Sequence, residues 1–179
     1  MIREFSAKAK PSNNKAKVAF FVLLAIAVAL TVVYMVVPLY KGIIGIVIIG
    51  IIAAVVLIYT KYIGSVYYYD VTFDYSGAAV FVVRQITGKR QSTLARIALS
   101  EIISIEKETA EQRRAHKTPI GHIKYSYLPT LMPSVAYRIT SRSRYEKSEI
   151  LVEITEELAM LLSDYSKEAR EFALSEDDE

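Results

Sequence analysis

Few side chains in this 179-residue chain have the type and spacing that catalysis or metal binding requires. His116 and His122 stand six residues apart, which matches neither the i, i+4 pair of a helical zinc site nor a zinc-finger spacing. Glu106 and Glu108 are candidates for a general acid and base, but they flank Lys107 after a predicted strand, where carboxylates are usually solvated. We interpret the histidines as ordinary loop residues and the glutamates as surface charge.

Other signatures of chemistry are missing from the sequence. It contains no Gly-rich phosphate loop and no G-x-S-x-G motif. It has no cysteine, and therefore no disulfide framework and no thiolate metal site. We predict a protein that is not an enzyme and has no catalytic, cofactor or metal site, although a triad assembled in space stays open.

Charge is strongly segregated along the second half of the chain. Residues 113–147 carry eight basic side chains against Glu146 alone, whereas residues 148–179 carry two basic against eleven acidic. Three uses compete for this basic block: a solvated face balanced by the acidic C-terminal region, attraction to anionic lipid headgroups, and binding of an acidic protein segment or nucleic acid. Nucleic acid is disfavoured because no recognition motif accompanies the charge. The block consists of Arg113, Arg114, Lys117, Lys124, Arg138, Arg142, Arg144 and Lys147.

Two apolar runs near the N-terminus determine where these residues are placed. Val18 to Tyr40 and Gly42 to Thr60 contain no charged residue, and each approaches or exceeds the roughly 20 helical residues that cross a bilayer. Only Lys41 separates them, so they predict an antiparallel transmembrane hairpin over residues 18–60 with a tight turn at Lys41 and Gly42, the first span ending near Pro38. A cleaved signal peptide and a buried soluble hairpin are the alternatives.

Orientation follows from the N-terminal segment. Residues 1–17 carry five basic side chains against Glu4, and positive charge before a first span favours the cytoplasmic side. We predict a multi-pass protein of the inner cell membrane with both termini cytoplasmic. The segment itself is almost free of apolar residues, so we predict a disordered basic tail over residues 1–17.

Small residues recur within the hairpin at spacings that allow helices to approach closely. The pairs are Ala25 with Ala29 and Gly50 with Ala54. They serve either to pack the two spans together or to form an oligomerisation face. Neither span holds an ionisable group, which argues against a proton or ion pathway.

After a short linker, residues 61–66, the pattern changes to strand-like alternation. We predict about seven short strands, including Tyr67 to Asp74, Ala79 to Ile86 and Ser134 to Thr140, and an exposed loop from Thr109 to Gly121. A helix begins after the N-cap Thr155 and carries an apolar stripe that should pack on the strands. That stripe comprises Leu158, Leu161, Leu162, Tyr165, Ala169 and Phe172, and residues 173–179 form an acidic tail.

This order of elements, with the middle pattern Ala95 to Ile105 and the closing helix, resembles the bacterial pleckstrin-homology-like (PH-like) domains, which are often tethered by two membrane helices. The resemblance covers residues 67–172. It implies an α+β membrane protein in which an antiparallel barrel or sandwich is capped by the C-terminal helix, and it implies no catalysis. Phosphoinositide-binding relatives carry cations at the first hairpin turn, whereas Asp74 makes this turn acidic, so we expect no such binding there.

The predicted function is therefore a membrane-anchored, non-catalytic binding or scaffolding module. It presents a cytoplasmic domain at the inner leaflet to a protein partner or to anionic lipid headgroups, without cofactors or nucleic acid, and it is a possible homo-oligomer. The alternative is an accessory subunit of a larger membrane complex, bound through the hairpin.

Overall fold

The computed structural model describes residues 2–9, 14–143 and 146–176, and the chain divides into two compact units. The helical unit is Ser12–Ser65. The sheet unit combines Met1–Pro11 with Val66–Glu179, so that segments from both sides of the helical unit fold together.

The helical unit contains the two apolar helices. Helix α1 is Asn14–Val36, and α2 is Lys41–Ile58, continued by a single π-helical turn, Tyr59–Ile63. Both stretches, Asn14–Val36 and Lys41–Ile63, are 23 residues long and are long and apolar enough to cross a membrane. The first begins four residues earlier than predicted, and the turn between the helices is the 3-10 turn Pro38–Tyr40 rather than Lys41 and Gly42.

The predicted linker over residues 61–66 is shorter in the structure. The π-helical turn extends to Ile63 and strand β2 begins at Ser65, so that Gly64 is the one residue between helix and strand. The Ser65 hydroxyl donates a hydrogen bond to the Thr60 carbonyl, which satisfies an acceptor at the end of the helix.

The sheet unit contains two four-stranded sheets and a C-terminal helix. The first sheet has the strand order β1-β2-β3-β4 and the second β5-β7-β8-β6. The α+β class is therefore confirmed for the described residues, in which the sheets do not close into a barrel. The strands are β1 Phe5–Lys8, β2 Ser65–Phe73, β3 Ala79–Thr87, β4 Arg90–Ala98, β5 Ile102–Thr109, β6 His122–Tyr127, β7 Val135–Arg142 and β8 Lys147–Val152.

Strand β1 contradicts the prediction of a disordered tail. Phe5 pairs with Val71 and Lys8 with Tyr68 in an antiparallel ladder, and the Ala9 amide donates a 2.9 Å hydrogen bond to the Tyr67 carbonyl. Along β1, half-buried and exposed residues alternate, with Phe5 packed against the core. The ladder satisfies the edge of β2, which would otherwise be unpaired.

The second sheet is mixed, not antiparallel throughout as predicted. Strand β7 is antiparallel to both β5 and β8, whereas β6 runs parallel to β8. The reason is topological: β6 does not pair with β7, its successor in sequence, but lies on the far side of β8. The segment between β6 and β7 includes the buried Pro129, and Thr130 donates hydrogen bonds to the Glu153 carboxylate from its amide (3.1 Å) and hydroxyl (2.8 Å).

The core lies between the sheets and helix α4, Glu156–Glu176. Thr155 caps this helix as predicted, because its hydroxyl accepts a 3.3 Å hydrogen bond from the Leu158 amide. Phe172, predicted to pack on the strands, is instead 66% exposed. The central buried side chains are Tyr67, Tyr69, Val71, Phe81, Val83, Leu99, Ile102, Ile139, Val152 and Leu162.

Tyr69 connects the two sheets through its hydroxyl. The group accepts a 3.2 Å hydrogen bond from the Glu153 amide and donates a longer one, 3.4 Å, to the Tyr127 carbonyl. Burial raises the pKa of this phenol well above its usual value, so it remains a donor at all ordinary pH values.

Candidate functional site

The basic block divides into buried and exposed parts. Arg138 is only 2% exposed and Arg113 is half-buried, with its guanidinium donating to the Pro133 carbonyl. Arg144 lies outside the described residues. The exposed members are Arg114, Lys117, Lys124, Arg142 and Lys147.

Three of these exposed cations lie on the outer face of the second sheet, the face away from the core. Arg142 on β7 pairs directly with Lys147 on β8, and Lys124 on β6 lies on the same face as Glu149. Like charges placed opposite each other on neighbouring strands are destabilising. Among the described residues neither Arg142 nor Lys147 forms a salt bridge. We call Lys124, Arg142 and Lys147 the cationic cluster.

The same outer face also carries a buried ionic cluster that the sequence did not predict. Arg138 on β7 lies between two carboxylates, Glu108 on β5 and Glu149 on β8, at 2.7 Å and 3.1 Å. Glu108 is 7% and Glu149 is 3% exposed. The prediction of Arg138 as a partner or lipid contact and of Glu108 as surface charge is therefore wrong: each needs the other because an unpaired buried charge is costly.

Both histidines join this cluster, contrary to their interpretation as ordinary loop residues. His116 Nε2 is 3.2 Å from both oxygens of Glu149, and His122 Nδ1 is 3.9 Å from one of them. His122 Nδ1 is buried and has no hydrogen-bond partner among the residues that the structure describes. The imidazoles of His116 and His122 therefore both lie near the Glu149 carboxylate. The two histidines flank the segment 117–121, which we call the tip loop.

A short helix positions the first histidine. The sequence predicted an exposed loop from Thr109, but helix α3 occupies Ala110–Ala115 and is held by a capping box between Thr109 and Gln112. The Thr109 hydroxyl accepts from the Gln112 amide (3.3 Å), and the Gln112 side chain accepts from the Thr109 amide (2.9 Å). His116 follows directly, its amide bonded to the Gln112 carbonyl at 2.9 Å.

The tip loop presents an apolar residue next to the exposed cations. Ile120 is 105% exposed, and Gly121 adopts φ +84°, a left-handed conformation that favours glycine. Ile120 and Ile123 line a surface groove of about 560 Å³ together with Arg142 and Lys147. The groove thus combines apolar and cationic walls with one carboxylate, that of Glu146.

Among the described residues, neither a metal-binding group nor the acid and base pair considered from the sequence is present. No group of three His, Cys, Asp or Glu side chains among them is placed to hold a metal ion. Glu106 is exposed while Glu108 is committed to Arg138, so the two glutamates do not form the acid and base pair that we considered.

The first hairpin turn retains its negative charge. The Asp74 carboxylate accepts hydrogen bonds from the Ser76 hydroxyl (2.6 Å) and from the amides of Ser76 and Ala78 (2.9 Å each). These bonds, the Ser76 hydroxyl foremost, lower the pKa of Asp74. An ionised carboxylate here opposes a polyphosphate ligand, in line with the sequence argument.

The small residues of the helical unit are mostly not packed between α1 and α2. Ala25, Ala29 and Gly50 are exposed, and Ala54 is half-buried. A Cβ placed on Gly50 would meet no atom within 4 Å, whereas one on Gly45 would contact Tyr34. The Gly50 surface is therefore open to another helix.

Of the site residues, sequence reasoning missed Glu149 and the role of both histidines. The capping box at Thr109 was readable in the sequence, but the convergence on Glu149 depends on β6 pairing with β8. Comparison of the chain with protein-family models, with curated proteins and with solved structures finds no match.

Proposed function

We propose that this chain is a two-span membrane protein whose sheet unit is a non-catalytic, PH-like binding module held at the cytoplasmic membrane surface. The observation that carries this proposal is the pairing of β1 with β2. These strands flank the two apolar helices in sequence, so the chain leaves the sheet unit, forms the helical unit and returns to the neighbouring strand. Both ends of the hairpin are thereby fastened to one folded unit.

The surface of the helices supports membrane insertion. Apolar side chains on both are exposed, among them Val28 (60%), Met35 (74%), Ile46 (74%) and Leu57 (67%). At roughly 25 cal/mol per Å² of apolar surface, exposing two such helices to water is very unfavourable, whereas a bilayer removes that cost. The net positive charge of residues 1–17 favours the cytoplasmic side for the sheet unit.

The charge of the cationic cluster indicates which class of partner the module would bind. Arg142 and Lys147 lie opposite each other without an ion pair to a described residue, and an anionic partner would offset their repulsion. We assign this surface to an acidic segment of a protein partner, with anionic lipid headgroups as the other outcome of the test.

Topology is testable because the chain contains no cysteine. A single cysteine replaces either Gly42, at the start of α2, or Tyr75, which is 107% exposed in the turn after β2. We expect a membrane-impermeant maleimide to label G42C in intact cells and Y75C only after permeabilisation. Labelling of Y75C in intact cells, or release of the protein by alkaline carbonate, would contradict the proposal.

The partner surface is tested by charge reversal in the full chain. We expect the double variant R142E/K147E to lose a crosslinked complex from native membranes. K89E/R90E is the matched control, because Lys89 and Arg90 are exposed at the turn between β3 and β4. Equal loss of the crosslinked complex in both variants would exclude a specific cationic surface. If R142E/K147E keeps the complex but no longer binds nanodiscs of anionic lipid, the partner of this surface is lipid.

A second candidate function, an accessory subunit bound through the hairpin, is favoured by the open surface at Gly50. Gly50→Leu with Ala54→Leu should then disrupt a complex recovered in mild detergent while R142E/K147E leaves it intact. Ile52→Leu is the control, since Ile52 is also exposed on α2. Loss of the complex in R142E/K147E, with the complex retained in the variant of Gly50 and Ala54, would assign the contact to the sheet unit.

A further inference from the structure

Strand β4 forms the least protected edge of the two sheets. It pairs with β3 on one side, and no strand pairs with its other side in the part of the chain that the structure describes. The edge strand β1 has only four residues, and the edge strands β5 and β6 carry Lys107 and Lys124, both features that discourage further pairing. Strand β4 has nine residues, and Arg96 is the only charged one from residue 91 to 98.

A cleft of about 430 Å³ lies beside this edge. Strand β4 contributes Leu94 to Ile97 to one wall, and β6, the edge strand of the second sheet, contributes Tyr125 and Tyr127 to the other. The two tyrosine rings are nearly parallel, with centroids 6.2 Å apart and planes at 7° to each other. The cleft therefore lies between an unpaired backbone edge and a flat aromatic surface.

The pairing of β3 with β4 determines which side chains face this cleft. Ala95 lies opposite the buried Val83, and two residues on, Ile97 lies opposite another core residue. Ala95 and Ile97 therefore face the space between the sheets. Leu94 has no register partner on β3 and forms a β-bulge at the start of this stretch. A strand added along β4 would continue the alternation, so that every second side chain would point into the cleft.

An extended segment suits this place because it can use the unpaired backbone groups of β4. A helix bonds its own backbone groups internally and would leave the edge unpaired, whereas an added strand supplies the missing hydrogen bonds and inserts alternate side chains into neighbouring pockets. Along Leu94 to Ile97 the paired length is about 13 Å at roughly 3.3 Å per residue. Arg96 and Glu101 also line the cleft and together carry no net charge, so apolar side chains fit between its walls.

The cleft continues into the groove beside the cationic cluster, since Ser143 and Glu146 line both. Arg142 and Lys147 lie in that groove. An acidic stretch of the same segment is therefore complementary in charge to this end of the surface. Between the two stretches, the Glu146 carboxylate accepts a 3.3 Å hydrogen bond from the Tyr125 hydroxyl, so we expect an uncharged residue of the segment next to it.

We propose that β4 is a docking edge for an extended segment of the protein partner. The segment pairs with Leu94 to Ile97 as an added strand, places alternate apolar side chains against Tyr125 and Tyr127, and continues as an acidic stretch onto the cationic cluster. The acidic stretch rests on the proposed function of that cluster, whereas pairing along β4 does not. Alternating apolar residues followed by acidic ones are thus the pattern that this surface recognises.

The test uses the full chain in nanodiscs of neutral lipid and a phage-displayed library of random peptides, with empty nanodiscs as counter-selection. We expect the enriched peptides to combine alternate apolar residues with adjacent acidic ones. When one of them is synthesised and bound, hydrogen exchange of backbone amides in residues 94–98 should slow roughly five- to tenfold, as expected for a net hydrogen bond. Exchange in β1, at the other edge of the same sheet, should not change.

Ala95→Lys places a charge in the cleft and should weaken binding of the peptide by about tenfold or more. Ala7→Lys is the matched control, because Ala7 is also a half-buried alanine on an edge strand of the same sheet, and it should bind as the wild type does. If Ala95→Lys loses the near-ultraviolet circular dichroism of its tyrosines, Tyr125→Ser replaces it, since Tyr125 is 36% exposed and forms part of the aromatic wall.

Strand addition would be overturned by a library that yields no peptide protecting β4, or by equal affinity of the peptide for wild type and for the cleft variant. Protection of β4 that rises with protein concentration in the absence of peptide would also overturn it, because the occupant would then be a second copy of the chain.

The variant R142E/K147E separates this proposal from the proposed function. If it binds the peptide as tightly as wild type while β4 stays protected, the acidic partner of the cationic cluster is wrong and strand addition stands. If it weakens binding of a peptide that leaves β4 unprotected in the wild type, the cluster binds the peptide and strand addition is wrong.

Discussion

Arg138 shows how a charged residue that belongs to a basic stretch of sequence can be structural. Its guanidinium compensates Glu108 and Glu149, and neither carboxylate has another buried cation among the described residues. We expect Arg138→Ala to destabilise the sheet unit by about 3–5 kcal/mol, because it leaves two buried carboxylates uncompensated. Chemical denaturation followed by tyrosine circular dichroism measures this loss.

The control for that variant is Arg142→Ala, because Arg142 lies four residues farther along β7 on the same face of the strand. Arg142 is exposed and has no salt bridge to a described residue, so its removal should change stability by no more than about 0.5 kcal/mol. Equal effects of the two variants would show that burial of Arg138 does not govern its contribution.

Glu153 gives a pH dependence of opposite sign to that of most acidic groups. Burial raises the pKa of its carboxyl, although hydrogen bonds from Thr130 act in the other direction. The folded state therefore holds this proton more tightly than the unfolded state does. Its contribution to stability is fully present below the ordinary carboxyl pKa and is lost as pH rises through the raised pKa.

We accordingly expect Glu153→Gln to remove part of the fall in stability with rising pH across the acidic range. The measurement is the difference between wild type and variant in unfolding midpoint at a series of pH values. Glu157→Gln, at an exposed position in the first turn of α4, should leave the dependence of the unfolding midpoint on pH the same as in the wild type. A wild type that gained stability relative to the variant as pH rises would contradict the assigned direction.

Single residues were the least predictable level. Alternation correctly placed Tyr67, Tyr69 and Val71 inside, because the side-chain period of a strand is two. The same alternation does not reveal which outer-face charges are buried. Burial of Arg138 depends on its neighbours across the sheet, Glu108 and Glu149, which lie 30 and 11 residues away in the chain.

At the scale of elements, β1 is the strand that local pattern could not predict. Its four residues lie among lysines, and its partner β2 is about 60 residues away, beyond any window in which periodicity is read. By contrast, β3 and β7 were predicted within two residues at each end, and α4 was predicted from its cap, because their signals are local.

Phe5 provides the test of this strand. Its ring packs on the core while Ser6 is exposed, so Phe5→Ala should cost about 1–2 kcal/mol of unfolding free energy and Ser6→Ala close to nothing. Denaturation of the full chain in detergent, followed by tyrosine circular dichroism, compares the two variants. Equal stability of both would mean that β1 does not contribute to the folded unit.

For the whole molecule, the helical unit is an insertion between two adjacent antiparallel strands. Ala9 already bonds to Tyr67, so a two-residue Asn-Gly turn has the right length to connect Ala9 to Tyr67 directly. We expect such a chain, without residues 10–66, to be soluble, monomeric and folded, as measured by size exclusion and tyrosine circular dichroism.

The comparison for that experiment is a chain that begins at Val66 and therefore lacks β1. Its β2 becomes an unpaired edge, and we expect it to aggregate or to unfold at a lower temperature than the chain with the Asn-Gly turn. Identical behaviour of the two chains would show that the sheet unit does not require its first strand.

The position of β1 also sets a requirement on synthesis. At roughly 5–20 residues per second, roughly 3–12 s pass between emergence of β1 from the ribosome and emergence of its partner about 60 residues later. If the two helices cross a membrane as proposed, the first strand spends that interval without its partner, on the side from which the chain entered. Crossing by one helix alone would leave β1 and β2 on opposite sides, so that the first sheet could form only after the second helix has also crossed.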